Sequence, residues 1–185
     1  MRIVAGRWRG RRLAALGKGD PGAHLRPTSD RVRESLFNRL AHLDVIDGAR
    51  VLDLFAGTGA LGLESLSRGA AHVTFVDSGR KAQALIRDNI ALMDAGRETT
   101  LLRVDATRLP PNPGPPCDLV FLDPPYGQGA GQRALDAAQT QGWIAPGALI
   151  VWEENAPMAA PEGCTLEDSR KYGDTHITLI WRDTE

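Results

Sequence analysis

Two cysteines, Cys117 and Cys164, are all that 185 residues provide. That is too few for a disulfide scaffold, and their spacing is not that of metal ligands. The four histidines, His24, His42, His72 and His176, show no ligand spacing either, so no metal is expected. No stretch approaches the ~18 consecutive apolar residues of a membrane-spanning helix. The opening run, Met1 to Arg9, lacks the apolar core of a secretory signal. There is no internal repeat, and no low-complexity tract beyond a proline-rich loop from Pro110 to Pro116. Net charge is scarce as well, at −1 with 24% charged residues, which excludes a disordered solvating chain and a collagen-like repeat. What remains is a cytoplasmic soluble protein, with no membrane partner expected. It is a little longer than one average domain, and its 42% hydrophobic residues suffice for a real core. Nothing calls for an obligate dimer, so a monomer is expected.

The small net charge hides an asymmetry. The first 40 residues hold ten Lys and Arg against three acids, and the other 145 hold twelve against twenty. A basic arm on an acidic body suggests an anionic partner docking at one end. Nine of the ten cations are Arg, whose guanidinium fork matches phosphate. Arg2, Arg7, Arg9, Arg11, Arg12 and Arg26 are the candidate phosphate contacts. Trp8, between two arginines, suits stacking on a base and equally suits covering the edge of a small core. An arm of this kind predicts that deleting residues 1–13 strongly weakens binding of that anionic partner and leaves ligand binding by the rest of the chain nearly unchanged.

Alternating residues Arg2–Ala5 and Arg11–Leu13, with Gly6 and Gly10 at the bend, predict a β-hairpin. Arg26-Pro27-Thr28-Ser29-Asp30 then leads into a helix with apolar Val32, Leu36 and Leu40, capped by Thr28 or Ser29. From residue 50 the pattern is strand, helix, strand, helix. Strands are predicted at 51–55, 72–76, 101–104, 119–122 and 148–152. Helices follow the glycine turn after Phe55 to near Gly69, run from a Ser78 cap to Met93, and span 131–141. The end, with a turn at 172–174, reads as a hairpin. Apolar strands alternating with helices imply a parallel sheet covered on both faces.

In such a sheet ligands bind outside the carboxyl ends of the strands. Acids stand at or near four successive strand ends there: Asp53, Asp77, Asp105 and Asp123. The turn Phe55-Ala56-Gly57-Thr58-Gly59-Ala60-Leu61-Gly62 matches a nucleotide-binding glycine turn, and Asp77 lies where an acid binds ribose hydroxyls. The turn alone fits a dinucleotide as well as another adenosine-containing ligand. Asp53, inside its strand, can reach the amino-acid end of S-adenosylmethionine or fix the loop around it, and Asp105 can accept from the adenine amine. Neither acid is required by a dinucleotide.

The strongest signal is Asp123-Pro124-Pro125-Tyr126. Two prolines fix two φ angles near −65° and remove two N–H donors, leaving carbonyls and the Asp carboxylate as acceptors. An exocyclic amine on a base is a poor nucleophile because its lone pair is delocalised into the ring. Acceptors on its two hydrogens orient it and stabilise the positive charge that grows as it takes a methyl group. Tyr126 offers a flat surface for a base turned out of its helix.

In this order, Asp53-Leu54-Phe55-Ala56-Gly57-Thr58-Gly59, Asp77, Asp105 and Asp-Pro-Pro-Tyr resemble the Rossmann-fold methyltransferases that modify exocyclic amines. Arg2 to Gly6, Arg26 to Asn38 and Leu122 to Tyr126 are similar, more narrowly, to the bacterial 16S ribosomal RNA guanine-N2 methyltransferases called RsmD, over nearly the whole chain. The region between Asp105 and Cys117 departs from that family in being short and proline-rich. The resemblance implies an α/β, Rossmann-like, doubly wound and mostly parallel seven-stranded sheet with an antiparallel last strand. To it is added an N-terminal hairpin and helix extension. Residues 1–48 would be the RNA-facing extension packed on the methyltransferase domain of residues 49–185. The implied cofactor is S-adenosylmethionine, held by Thr28, Asp53, Phe55, Ala56, Gly57, Gly59, Asp77, Ser78, Asp105 and Ala106. Catalysis would fall to Asp123, Pro124, Pro125 and Tyr126. The partner would be 16S ribosomal RNA within a small subunit at least partly assembled.

Three other readings stay open on the residues alone. One is an oxidoreductase using the glycine turn, which leaves Asp-Pro-Pro-Tyr unexplained. Another is a non-catalytic RNA-binding assembly protein. The third is the same chemistry on adenine or on a protein glutamine, against which the basic hairpin favours nucleic acid but does not choose the base.

Overall fold

A computed structural model describes residues 1–15 and 28–184. Seven strands form one sheet: β1 Arg50–Leu54, β2 His72–Val76, β3 Thr99–Leu102, β4 Cys117–Leu122, β5 Ile144–Glu154, β6 Cys164–Tyr172 and β7 Thr175–Arg182. Their spatial order is β3-β2-β1-β4-β5-β7-β6. β1 to β5 pair in parallel, and β7 runs antiparallel to both β5 and β6. The strand order therefore reverses between the neighbours β1 and β4, which is where open α/β sheets bind ligands.

Among the described residues four helices cover the sheet: α1 Asp30–His42, α2 Ala60–Ser67, α3 Arg80–Leu92 and α4 Ala130–Thr140. Side chains alternate between faces along each strand. Val51, Phe75, Leu119, Phe121 and Val151 join Phe37, Leu63 and Ile86 of α1, α2 and α3 in one core. Leu52, Val120, Ile150 and Trp152 join Ala134 and Leu135 of α4 in the other. Asp53, by the same alternation, points to the face that α2 covers.

Gly62 shows why α2 can lie so close. A Cβ there would stand 2.4 Å from the Phe75 ring, so the third glycine of the turn serves helix–sheet packing.

The N-terminal segment departs from the expected hairpin. Arg2 and Arg12 form a single antiparallel bridge, supported by Ile3 N–H to Arg11 O at 2.9 Å and Leu13 N–H to Met1 O at 3.2 Å. Extended pairing stops because the Val4 and Ala5 N–H groups donate instead to the buried Glu64 carboxylate of α2, at 2.8 and 3.0 Å. Ile3, Trp8 and Leu13 are buried in the core shared with α1, α2 and α3. Gly6 has φ +83° and lies so close to Ser67 O that a Cβ would overlap it at 1.9 Å. The bend is glycine because the arm lies flat on α2. Residues 1–15 thus share a core with the sheet and are not a detached extension.

Of the two caps expected for α1, Ser29 serves, its side chain accepting from Val32 N–H at 3.3 Å, and Thr28 is turned elsewhere. The start of α3 differs from expectation. α3 begins at Arg80 with Gly79 as its cap, not Ser78, because the Asp77 carboxylate has taken the Gly79 N–H at 2.8 Å.

Candidate active site

The residues singled out by sequence gather at the carboxyl edge of the sheet. β1 ends in Phe55, a non-glycine residue at φ 58°. Such a conformation costs of order 1–3 kcal/mol and tends to mark a ligand site. The chain then turns through Gly57 and Gly59, both also at positive φ, into α2. Ala56 N–H bonds Val76 O at 3.1 Å and Gly59 N–H bonds Ala56 O at 2.8 Å, fastening the turn to β2 and to itself.

Asp77 at the end of β2 holds this turn from the other side. One carboxylate oxygen accepts Gly57 N–H at 3.0 Å and the other accepts Gly79 N–H. Burial nevertheless raises its pKa, against the pull of those two amides. Asp105 is exposed and caps a 3₁₀ turn at Ala106–Arg108, accepting from Thr107 N–H at 2.9 Å and Thr107 Oγ1 at 2.8 Å. Those bonds, together with Arg108 and Arg133 nearby, lower its pKa. Ala106 is buried. Ser78 is exposed beside Asp77.

Asp53 is 2% exposed and accepts Gly62 N–H at 3.0 Å, so its carboxylate pins the start of α2 under the glycine turn. Burial pushes it up to about 8. An acid raised in the folded state contributes stability that is complete below its unfolded pKa near 4 and is lost as pH rises through 8. Asp53→Asn keeps the acceptor for Gly62 and removes the ionisation. Its melting temperature minus that of wild type should be near zero at pH 4 and positive by several degrees or more at pH 8.5, at ~2–4 °C per kcal/mol. A difference that does not change with pH in differential scanning calorimetry would show that Asp53 does not titrate.

The end of β4 carries Asp123, partly exposed at the mouth, with its N–H on Leu54 O at 3.4 Å. Burial first, then the charges of Glu153, Asp53 and Glu154, push Asp123 well above the ordinary carboxylate range. Pro124 is buried and Pro125 exposed. Tyr126 does not swing free: its hydroxyl donates to Glu153 Oε1 at 3.3 Å and meets Thr175 Oγ1 at 3.2 Å. Burial and the carboxylates push that phenol up to about 12. Thr28 reaches the same group, Oγ1 donating to Glu153 Oε2 at 3.1 Å.

Sequence reading missed Glu153 and Thr175. It ended the fifth strand at Trp152, whereas β5 runs to Glu154. Extending the rule of an acid at each strand end by one strand would have found Glu153.

The RNA-facing candidates are spread out. Arg26 lies outside the described residues. Trp8 is buried beneath Arg7, whose guanidinium carbon is 4.1 Å from the ring centroid, so of its two readings the structure takes the core-edge one, and the base-stacking one is set aside. Arg2 pairs with Asp30 at 3.5 Å, Arg7 pairs with both oxygens of Glu98 and Arg11 donates to Leu92 O. Arg9 and Arg12 are exposed. Met1 and Ala14 approach the glycine turn, Met1 at Thr58 Oγ1 and Ala14 through Asn89, which also bonds Thr58 O. The bend at Gly6–Trp8 instead meets Ser67 at the far end of α2. The helix between these two places has eight residues, or ~12 Å, so the bend stands about that far from the glycine turn.

The geometry has relatives. Residues 1–181 match a family described as Conserved hypothetical protein 95. The ribosomal RNA small subunit methyltransferase D of Escherichia coli (strain K12) is 38% identical, over 100% of this chain and 91% of that protein. The chain belongs to the ribosomal RNA small subunit methyltransferase D family. The Haemophilus influenzae methyltransferase of the same name is 36% identical, over 94% of this chain and 89% of that protein. Among solved structures, a putative methyltransferase of Escherichia coli superposes with a TM-score of 0.86 at 37% identity, over 100% of this chain and 99% of that one. This kinship agrees with the mostly parallel seven-stranded sheet and its antiparallel β7.

Proposed function

We propose that this family member transfers a methyl group from S-adenosylmethionine to the exocyclic N2 amine of one guanine in 16S ribosomal RNA of the small ribosomal subunit. The observation that carries the reading is the Asp123-Pro124-Pro125-Tyr126 loop standing beside the glycine turn at the β1/β4 switch point. The relatives' names supply ribosomal RNA of the small subunit, and the resemblance of the motifs supplies guanine N2.

The residues present fit the cofactor. Asp53 and Asp123 are carboxyls whose ionisation is opposed by burial and by acidic neighbours. A ligand bearing a sulfonium and an ammonium relieves that cost. The positive-φ glycines let backbone approach it, and Asp77 and Asp105 stand on the same edge for ribose and adenine. When bound, S-adenosylmethionine supplies a methyl group on a sulfonium that leaves readily as a thioether.

The chain's own part is positioning. Asp123 and the Pro124 carbonyl accept the two amine hydrogens and aim the nitrogen lone pair at the methyl carbon. Tyr126 holds the base plane. As N2 takes the methyl group, the Asp123 carboxylate balances the positive charge that grows on it, and the surplus proton passes from N2 to water. Arg9 and Arg12 on the arm, with Arg108 and Arg133 near Asp105, provide phosphate contacts that position without reading sequence. Arg2, Arg7 and Arg11 join them once released from their protein partners.

Radiolabelled methyl transfer to small subunits lacking this modification, followed by nucleoside mass analysis, tests the reading. Labelled N2-methylguanosine at one position is expected. Label in N6-methyladenosine or in protein would overturn the base assignment, and cofactor binding without label on any subunit or RNA would overturn the substrate.

A further inference from the structure

Glu153 lies at the end of β5, buried, in no motif, and its two carboxylate oxygens serve two different elements. Oε1 takes the Tyr126 hydroxyl from the loop after β4, and Oε2 takes the Thr28 hydroxyl just ahead of α1. Thr175, at the start of β7, meets the Tyr126 hydroxyl from the third side. Tyr126 is therefore anchored at its far end, and its ring can turn only about an axis fixed at both ends.

We propose that Glu153 is a positioning residue: its bidentate acceptance of Tyr126 and Thr28 fixes the aromatic wall against which the target base lies and ties the segment entering α1 to that wall. The assignment of the wall to a base rests on the function proposed above, whereas the clamp itself does not. Burying a carboxylate costs free energy unless its oxygens are bonded. Here each oxygen has a hydroxyl donor, and the Glu153 pKa is raised by burial even so. A purely structural role at the end of a strand needs no charge. Leucine of similar volume would serve β5 without a buried anion.

The chain holds two tyrosines, Tyr126 and Tyr172, so in tyrosine-labelled protein the ring-carbon resonances lost in Tyr126→Phe are those of Tyr126. In Glu153→Ala the Tyr126 resonances should shift and average. Glu153→Gln, which keeps the length and an acceptor oxygen, should restore them. In the methyl-transfer assay, Glu153→Ala should lower kcat/KM for small subunits about tenfold with S-adenosylhomocysteine affinity, read by calorimetry, within about twofold, and Glu153→Gln should recover most of the loss. Tyr126→Phe removes the same bond, so the double variant Glu153→Ala/Tyr126→Phe should be no slower than the slower single one.

Unchanged Tyr126 resonances in a folded Glu153→Ala protein would overturn the proposal, as would fully additive losses. So would a loss of kcat/KM matched by an equal loss of cofactor affinity. If wild type does not methylate subunits, the function reading fails while the resonances still decide the clamp.

Discussion

A chain lacking residues 1–13 is expected to lose its cooperative fold, and with it all cofactor binding. The sequence suggests the opposite, an arm that grips RNA and can be removed. Three buried side chains argue against removal. Ile3, Trp8 and Leu13 are 0%, 8% and 7% exposed, and burying each is worth ~1.5–3 kcal/mol. Deletion also strips the Val4 and Ala5 N–H donors from Glu64, a fully buried carboxylate, leaving Arg68 Nε at 2.8 Å as its remaining side-chain partner. Arg33, fully buried on α1, loses the Arg2 carbonyl to which its guanidinium donates. Together these losses reach about 5–10 kcal/mol, comparable with the whole stability of a typical domain. Far-UV circular dichroism melting reads the outcome. A truncated chain that melts within a few degrees of the full chain would overturn this account. The arm's part in RNA binding is then tested by Arg9→Glu and Arg12→Glu, exposed positions whose reversal leaves the core intact. Either reversal, by removing one arginine from the phosphates, should reduce the slope of log affinity against log salt by about one.

The sheet was legible because five apolar strands alternate with helices, and periodicity carries that information locally. The acids at the strand ends were legible for the same reason, since a strand's end can be read from its own residues. The arm was half legible: its charges were visible, but its attachment to Glu64, Ser67 and Asn89 depends on residues some sixty to seventy-five positions away. Trp8 shows the limit most plainly. Its arginine neighbours point to nucleic acid, and its burial follows from where α2 and α3 happen to pass. Glu153 was missed because Tyr126 and Thr28 converge on it, and Thr175 on the Tyr126 hydroxyl, only after β5 and β7 pair. Ser78 was misread as a cap because Asp77, one residue earlier, captures the amide that a cap leaves free.

Asp123→Ala is expected to lower the rate of methyl transfer by about 10²–10³-fold, the scale for removing one oriented hydrogen-bonding group from a reacting centre. Cofactor affinity should fall far less than the rate, by no more than a few-fold, since Asp53 remains to face the cation. Asp123→Asn separates the two things the carboxylate supplies. The amide oxygen still accepts one amine hydrogen, but the amide carries no charge to balance the cation that develops on N2. A loss of about 10²-fold is expected for Asn, at the lower end of that scale. The pH profile adds a sign. Burial and the acids around it raise Asp123 in the free enzyme, so the ionised form is scarce at low pH and the wild-type rate climbs as pH rises through that raised value. Asp123→Asn has nothing to ionise there and should lose that limb of the profile. Single-turnover methyl transfer between pH 5.5 and 9 reads both effects. Turnover retained in Asp123→Ala would remove Asp123 from the reacting centre. An unchanged acid limb in Asp123→Asn would move the titration to Asp53 or Glu153, the other carboxyls of the same mouth.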